Sequence, residues 1–229
     1  MKKLLLSTMA VTAFSLPFSA SAASEDLKDL GVAINYGLFS GATLELSYPV
    51  GNDLHVRGAL SAGMGLSETS TGSATEPTYA VEASGGIHRL ALDYRPFNGG
   101  FFLSGGYAIN SYAIDISSTI TSAVTVGEVN YSTANATLAG QLSWNNAPTL
   151  SLGWGHSPAE GWGGLFEVGA IFTGAPEVSL TGTGTLDGLD VSNDASVLAA
   201  LNDEETKIKD EVANFDFLPI IQVGVTYRF

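Results

Sequence analysis

Apolar side chains recur at every second position over much of this chain. In the last stretch Ile221, Val223, Val225, Tyr227 and Phe229 alternate with Gln222, Gly224, Thr226 and Arg228. Near the other end Leu44, Leu46, Tyr48 and Val50 alternate with Thr43, Glu45 and Ser47. A period of two places one kind of side chain on each face of an extended strand. The same test along the chain predicts about eight strands. They cover residues 31–36, 41–50, 54–66, 79–95, 101–116, 137–156, 162–180 and 217–229. Parity slips between Ile109 and Tyr112 in the fifth, which predicts a bulge.

The connections alternate in length. Residues 50–53, 96–100 and 157–161 make short turns, and Asn98-Gly99 is a strong two-residue hairpin signal. Residues 67–78, 117–136 and 181–216 make long ones, with the short link 37–40 as the exception. Short turns at one end and long loops at the other fit a membrane barrel with its turns in the periplasm. The loops are rich in Ser, Thr, Gly and acid. Residues 181–192 read as a flexible arm. Residues 194–215 read as a helix capped by Ser192 or Asp194, with Val197, Leu201, Ile208, Val212 and Phe215 at helical spacing. That helix is expected to form a ledge on the barrel mouth.

Aromatic residues sort to the strand ends. Tyr48, Tyr94, Phe101, Trp154, Trp162, Tyr227 and Phe229 mark the turn end; Tyr36, Tyr79, Tyr112, Trp144, Phe172 and Phe217 mark the loop end. Two such bands bracket a hydrocarbon slab.

The beginning of the chain changes the compartment. Lys2 and Lys3 precede an apolar run to about Phe18, and Ala20-Ser21-Ala22 offers a small-x-small cleavage site. Residues 1–22 are therefore expected to be a cleaved secretory signal peptide, with residues 23–229 as the mature barrel. No cysteine is present, so an exported disulfide-stapled scaffold is excluded. Without the two signal lysines, seven basic residues face 23 acidic ones. Binding of nucleic acid by charge is therefore not expected.

If the wet faces point inward, the lumen collects Glu45, Arg57, Arg89, Asp93, Arg95, Glu167 and Arg228. An eight-stranded barrel is only wide enough for side chains to fill it, so these charges must pair. Pairing Leu46 with Val56 sets Glu45 opposite Arg57, and a turn at Asn98-Gly99 sets Tyr94 opposite Leu103. The polar network reads as a salt-bridged core holding the lumen shut; the same residues would also suit a narrow ion path.

Catalytic chemistry finds little support. His88 takes lipid-facing parity, and Ser84 is the nearest hydroxyl in sequence, but no nucleophile-elbow motif accompanies them. A parity slip at Gly85-Gly86 would turn His88 inward instead. Asp187, Asp190 and Asp194 are too loosely spaced for an EF-hand loop, although loop carboxylates could share divalent cations with lipopolysaccharide phosphates. No catalytic residue, protein-held metal or cofactor is expected.

Gln222-x-Gly224-x-x-Tyr227-x-Phe229 resembles the C-terminal assembly signal of Gram-negative outer-membrane proteins. With Gly153-Trp154-Gly155 and Gly161-Trp162-Gly163, the chain is similar to small eight-stranded barrels of the OmpA, OmpX and OmpW kind. The resemblance implies an all-β, closed, antiparallel up-and-down barrel in the outer membrane, with one helix in the last external loop. It also implies delivery by the barrel-assembly machinery, contact with outer-membrane lipid and lipopolysaccharide, and a monomeric state. The leading expectation is a structural or surface-interaction protein. The alternatives are a narrow channel or an OmpW-like route for small hydrophobic molecules, and, third, a lipid-modifying enzyme.

Overall fold

The computed structural model describes residues 29–70, 78–97, 99–156 and 160–229. The signal-peptide segment, and Asn98 of the proposed hairpin turn, lie outside these residues. In chain order the strands are β1 (Gly31–Gly37), β2 (Gly41–Pro49), β3 (Leu54–Ser61), β4 (Leu66–Ser70), β5 (Thr78–Ser84), β6 (Ile87–Tyr94), β7 (Phe101–Asn110), β8 (Ala113–Ile120), β9 (Val124–Val126) and β10 (Val129–Tyr131). They continue as β11 (Ala134–Ser143), β12 (Ala147–Trp154), β13 (Gly161–Ile171), β14 (Glu177–Leu186) and β15 (Leu189–Asp190). Helix α1 (Ala195–Val212) precedes the last strand, β16 (Leu218–Arg228).

Eight of these strands close into one antiparallel barrel in the order β1-β16-β13-β12-β7-β6-β3-β2. Strand β16 seals it, pairing Val32 with Tyr227 and Tyr36 with Val223. The alternation read from sequence becomes inside and outside. On β2, Thr43, Glu45 and Ser47 are buried, while Leu44, Leu46 and Tyr48 are exposed. The same split puts Leu90, Leu92, Leu150, Leu152, Val223 and Val225 on the outer wall, all more than a third exposed. A continuous apolar wall around a charged interior inverts the arrangement of a water-soluble protein and suits a bilayer. The molecule is thus a transmembrane β-barrel, crossed by strands. Among the described residues no helix is long and apolar enough to span.

The short turns, the start of β1 and the end of β16 share one rim. At this rim rings of neighbouring strands pack together: Phe101 against Trp154 at 4.8 Å, and Trp162 edge-on to Tyr227 at 5.1 Å. At the other rim the strands do not stop. A second, six-stranded sheet in the order β15-β14-β11-β8-β5-β4 continues the wall upward. Each long strand expected from residues 54 to 180 is therefore two strands, one in the membrane wall and one above it. The segment expected to be a flexible arm, 181–192, instead contains most of β14 and all of β15, with β14 fully paired to β11. Strands β1, β2 and β16 have no counterpart in the upper sheet, which accounts for the short link at 38–40.

Glycines make the break between the two sheets. Gly63 and Gly85 both adopt φ +76°, a region disfavoured for residues with a Cβ. A Cβ on Gly63 would stand 1.7 Å from the Gly85 carbonyl oxygen, and one on Gly85 would stand 1.9 Å from that of Ser111. The kinks thus lie against one another across neighbouring strands. The predicted parity slip at 109–112 is the same feature in the next strand, where β7 gives way to β8.

Helix α1 starts at Asp194, whose carboxylate accepts from Ser196 N at 2.9 Å and Val197 N at 3.3 Å. Val197, Ala200 and Leu201 pack with Leu186, Val191, Val126 and Tyr131. The helix therefore rests on β14 and the β9–β10 hairpin of the upper sheet, not on the barrel mouth as expected. Glu204 accepts from Gly127 N at 3.0 Å and Lys207 donates to Gly127 O at 2.8 Å, latching that hairpin to the helix.

Candidate functional site

The barrel interior is layered. The central layer is built around Arg57, whose five N–H groups all meet acceptors. Its Nε and Nη2 hold Asp93 side-on at 3.0 and 3.1 Å. Nη1 reaches Glu167 at 2.7 Å and Glu45 at 3.1 Å, and Nη2 also donates to Glu167 at 3.1 Å and to Ser104 at 3.2 Å. Arg89 crosses the same carboxylates, bonding Glu167 at 2.9 Å and Glu45 at 3.2 Å. Glu45, Asp93 and Glu167 have no exposed surface, and Arg57 retains 2%. Such ions are tolerable only because each is paired and hydrogen-bonded.

Of the seven lumen residues named from sequence, the structure brings five together. Arg95 and Arg228 sit apart from them, at the turn rim. Arg95 Nη1 donates to the carbonyls of Gly99 and Gly155, both at 3.0 Å, and Arg228 donates to Asp29 O at 2.9 Å. The expected register is also off by two. Arg57 pairs with Ser47, and Glu45 pairs with Ala59. The turn is longer than assumed, with Val50 N bonded to Leu54 O at 2.9 Å. A shift of two preserves every inward and outward assignment, so Arg57 reaches Glu45 diagonally along its length. The pair Tyr94 and Leu103 is in register as expected.

Several members of the cluster were not singled out for it. Gln222, noted for the terminal signal, donates to Glu167 at 2.6 Å and Glu45 at 3.0 Å. Ser151 donates to Glu167 at 2.5 Å. Both lie at inward parity, which was the signal available. His156 is 2% exposed and turns into the lumen, Nε2 3.0 Å from Glu45 and Nδ1 3.2 Å from Ser47. Its φ of 44° aims the ring back across the barrel, and alternation has no signature for such a residue.

An apolar layer closes the loop end of the lumen. Ile87, Ala108, Tyr112, Ala147, Ile171, Leu218 and Ile220 are buried together, with Phe39 and Trp144 packed against them. Tyr112 and Trp144 stack at 5.6 Å inside this layer, so they do not belong to the membrane-facing girdle in which the sequence reading placed them.

The remaining candidates have structural employment. His88 keeps outward parity, and its Nδ1 accepts from Ser61 N at 3.2 Å; no hydroxyl or carboxylate meets the ring among the described residues. Asp187 accepts from Thr133 N at 2.7 Å and Ser132 N at 3.1 Å, and Asp190 accepts from Ser192 N at 2.8 Å. Both carboxyls are held below the usual range, Asp187 mainly by the backbone N–H of Thr133 and Asp190 mainly by the side chain of Asn193. No group of three or more metal-ligating side chains occurs among the described residues.

At the C-terminal strand, Gly224 has a local reason to be glycine. A Cβ there would stand 2.3 Å from Ile34 O across the closing seam. Tyr227 packs edge-on to both Trp162 and Phe229, with ring centroids at 5.1 and 5.0 Å.

A closed eight-stranded wall, apolar outside and ion-paired inside, defines a small barrel of the outer-membrane kind. The fold is similar to two solved structures. Acinetobacter baumannii CarO matches with a TM-score of 0.57 and 22% identity, covering 90% of this chain and 100% of that one. Acinetobacter baumannii CarO2 matches with a TM-score of 0.58 and 23% identity, covering 89% and 99%. A major outer membrane protein from Thermus thermophilus aligns at a TM-score of 0.40 and 12% identity, over 88% and 98%. No protein-family model and no curated protein matches the sequence.

Proposed function

We propose that this chain is a non-enzymatic outer-membrane barrel with a sealed lumen, which holds the upper sheet and α1 outside the cell as an interaction platform. The observation that carries this reading is the saturation of Arg57. All five of its donors are engaged by three carboxylates and Ser104, across the width of the lumen. A solute passing the centre would have to break several charge-assisted bonds at once and then pass the apolar layer above. On this reading lipid and lipopolysaccharide surround the wall. Gln222, Gly224, Tyr227 and Phe229 would be read by the assembly machinery before they take up their places in the closing strand.

One face of the platform carries a row of polar side chains. Across it Ser67, Glu82, Asp115, Gln141 and Ser179 stand side by side on successive strands. They line an open groove of about 320 Å³. The rest of the lining mixes small residues such as Ala80, Ala139 and Gly140 with the apolar Val81 and Ile116.

The test is solute entry into liposomes carrying the folded protein, with protease shaving of whole cells. Swelling in a small sugar or amino acid is expected to match that of protein-free liposomes. Cleavage is expected within residues 113–143 or 177–212, which form the upper sheet and α1, while the barrel stays intact. Rapid swelling would overturn the sealed lumen, and protection of those residues on intact cells would overturn the external platform.

A further inference from the structure

The turn rim of the lumen holds a second guanidinium whose surroundings differ sharply from those of Arg57. Arg95 is 2% exposed, and only its Nη1 is engaged, by the carbonyls of Gly99, Gly100 and Gly155. Its Nε and Nη2 are buried and meet no acceptor among the described residues. These two nitrogens form the side-on edge of the guanidinium, the edge with which Arg57 grips both oxygens of Asp93. Among the described residues, the same planar fork is thus filled in the first of two lumen arginines and unmatched in the second.

The neighbourhood of the open fork is cationic. His55 is 3% exposed, and its Nδ1 is likewise unmatched among the described residues. His55 pairs with Asp93, and Arg95 N donates to Asp53 O at 2.8 Å, so His55 and Arg95 are diagonal neighbours at the turn rim. Asp93, two residues before Arg95 on the same strand face, is already committed to Arg57. Asp53 contributes its backbone carbonyl to Arg95 N. Phe102, fully buried, lies under both guanidiniums, 5.0 Å from Arg57 and 5.4 Å from Arg95. A buried arginine edge without an anion is costly, and a planar carboxylate matches it with two parallel bonds.

We propose that Arg95 and His55 form a binding site for a small monocarboxylate at the turn rim of the barrel. The two carboxylate oxygens dock on Nε and Nη2 of Arg95, and His55 Nδ1–H donates to one of them. Arg228 adds favourable charge. The site selects a single negative charge, because a dianion such as phosphate loses far more hydration on entering so enclosed a place. Binding is read at equilibrium.

The experiment uses the whole folded protein in detergent micelles, titrated calorimetrically with formate and with acetate at fixed ionic strength set by chloride. One saturable site for formate is expected, with acetate competing and chloride not. Arg95→Lys keeps the charge but loses the fork, and is expected to weaken formate binding by about tenfold or more. Folding of that variant is checked by a change in gel migration on heating. His55→Leu is expected to weaken binding to a smaller extent, and it supplies the test if Arg95→Lys does not fold. Absence of saturable formate binding by the native protein would overturn the proposal. So would full-strength binding by Arg95→Lys, or tighter binding of phosphate than of formate. Solute impermeability, the test of the sealed lumen, is a separate measurement and does not depend on this site.

Discussion

Replacing Arg57 with methionine tests how the interior is held. The central layer contains two arginines and three carboxylates, so Arg57→Met leaves Arg89 alone to offset Glu45, Asp93 and Glu167. Asp93 suffers most, because its ion-pair partner in this layer is Arg57. Methionine fills a similar volume, so the loss is mainly electrostatic. Removing one partner of a buried pair costs about 3–5 kcal/mol, chiefly because the surviving charges stay buried. With a urea dependence of about 2 kcal/mol per molar, the unfolding midpoint should fall by about 1.5–2.5 M. The assay is urea unfolding of the protein in vesicles, followed by tryptophan fluorescence and by the heat-sensitive gel shift. Pairing Arg57→Met with Asp93→Leu should recover part of the deficit, since the second change removes the stranded charge. A midpoint shift below about 0.5 M for Arg57→Met would refute the view that this residue organises the lumen.

Gly85→Val should prevent the break between wall and upper sheet, because a Cβ there meets Ser111 O at 1.9 Å and the backbone sits at φ +76°; loss of the heat-modifiable folded band checks it, and normal folding yield would argue against the kink. Acid should loosen the upper sheet before the barrel. Asp187, Asp190 and Asp194 have carboxyls held below their ordinary values by donated hydrogen bonds. Their contribution is fully present above the unfolded value of about 4 and is lost as pH falls through the lower folded values. Amide protection factors in residues 186–201 should therefore fall below about pH 4 while those of β16 hold, and a parallel fall in both would contradict the assignment. Phe229→Ala should slow assembly in cells, read as accumulation of unfolded precursor, without lowering the stability of the purified protein to urea by more than about 1 kcal/mol.

Much of the wall was legible because a barrel strand has one rule, and Leu44, Leu46 and Tyr48 obey it as plainly as Thr43, Glu45 and Ser47 do. Parity alone assembled Glu45, Arg57, Arg89, Asp93 and Glu167 on the inner surface. It could not fix their height, and the two-residue error at the β2–β3 turn shows why. A shift of two leaves every face unchanged, so only the turn geometry decides between registers. The upper sheet was hidden by continuity. Strands β13 and β14 read as one run, because the chain keeps its alternation while the wall changes from lipid-facing to water-facing. Gly63 and Gly85 mark that change through positive φ, which a sequence does not display. The apolar layer at the loop end was missed for a related reason. Ile87, Ile171, Leu218 and Ile220 hold inward parity, and the expectation of a uniformly polar lumen passed over them.

The sealed lumen is tested most directly by single-channel recording of the folded protein in planar bilayers. The structure predicts no steady, ohmic conductance steps, because the layer around Arg57 and the apolar layer above it leave no path for hydrated ions. Reproducible steps of constant size from the native protein, persisting across preparations, would contradict it.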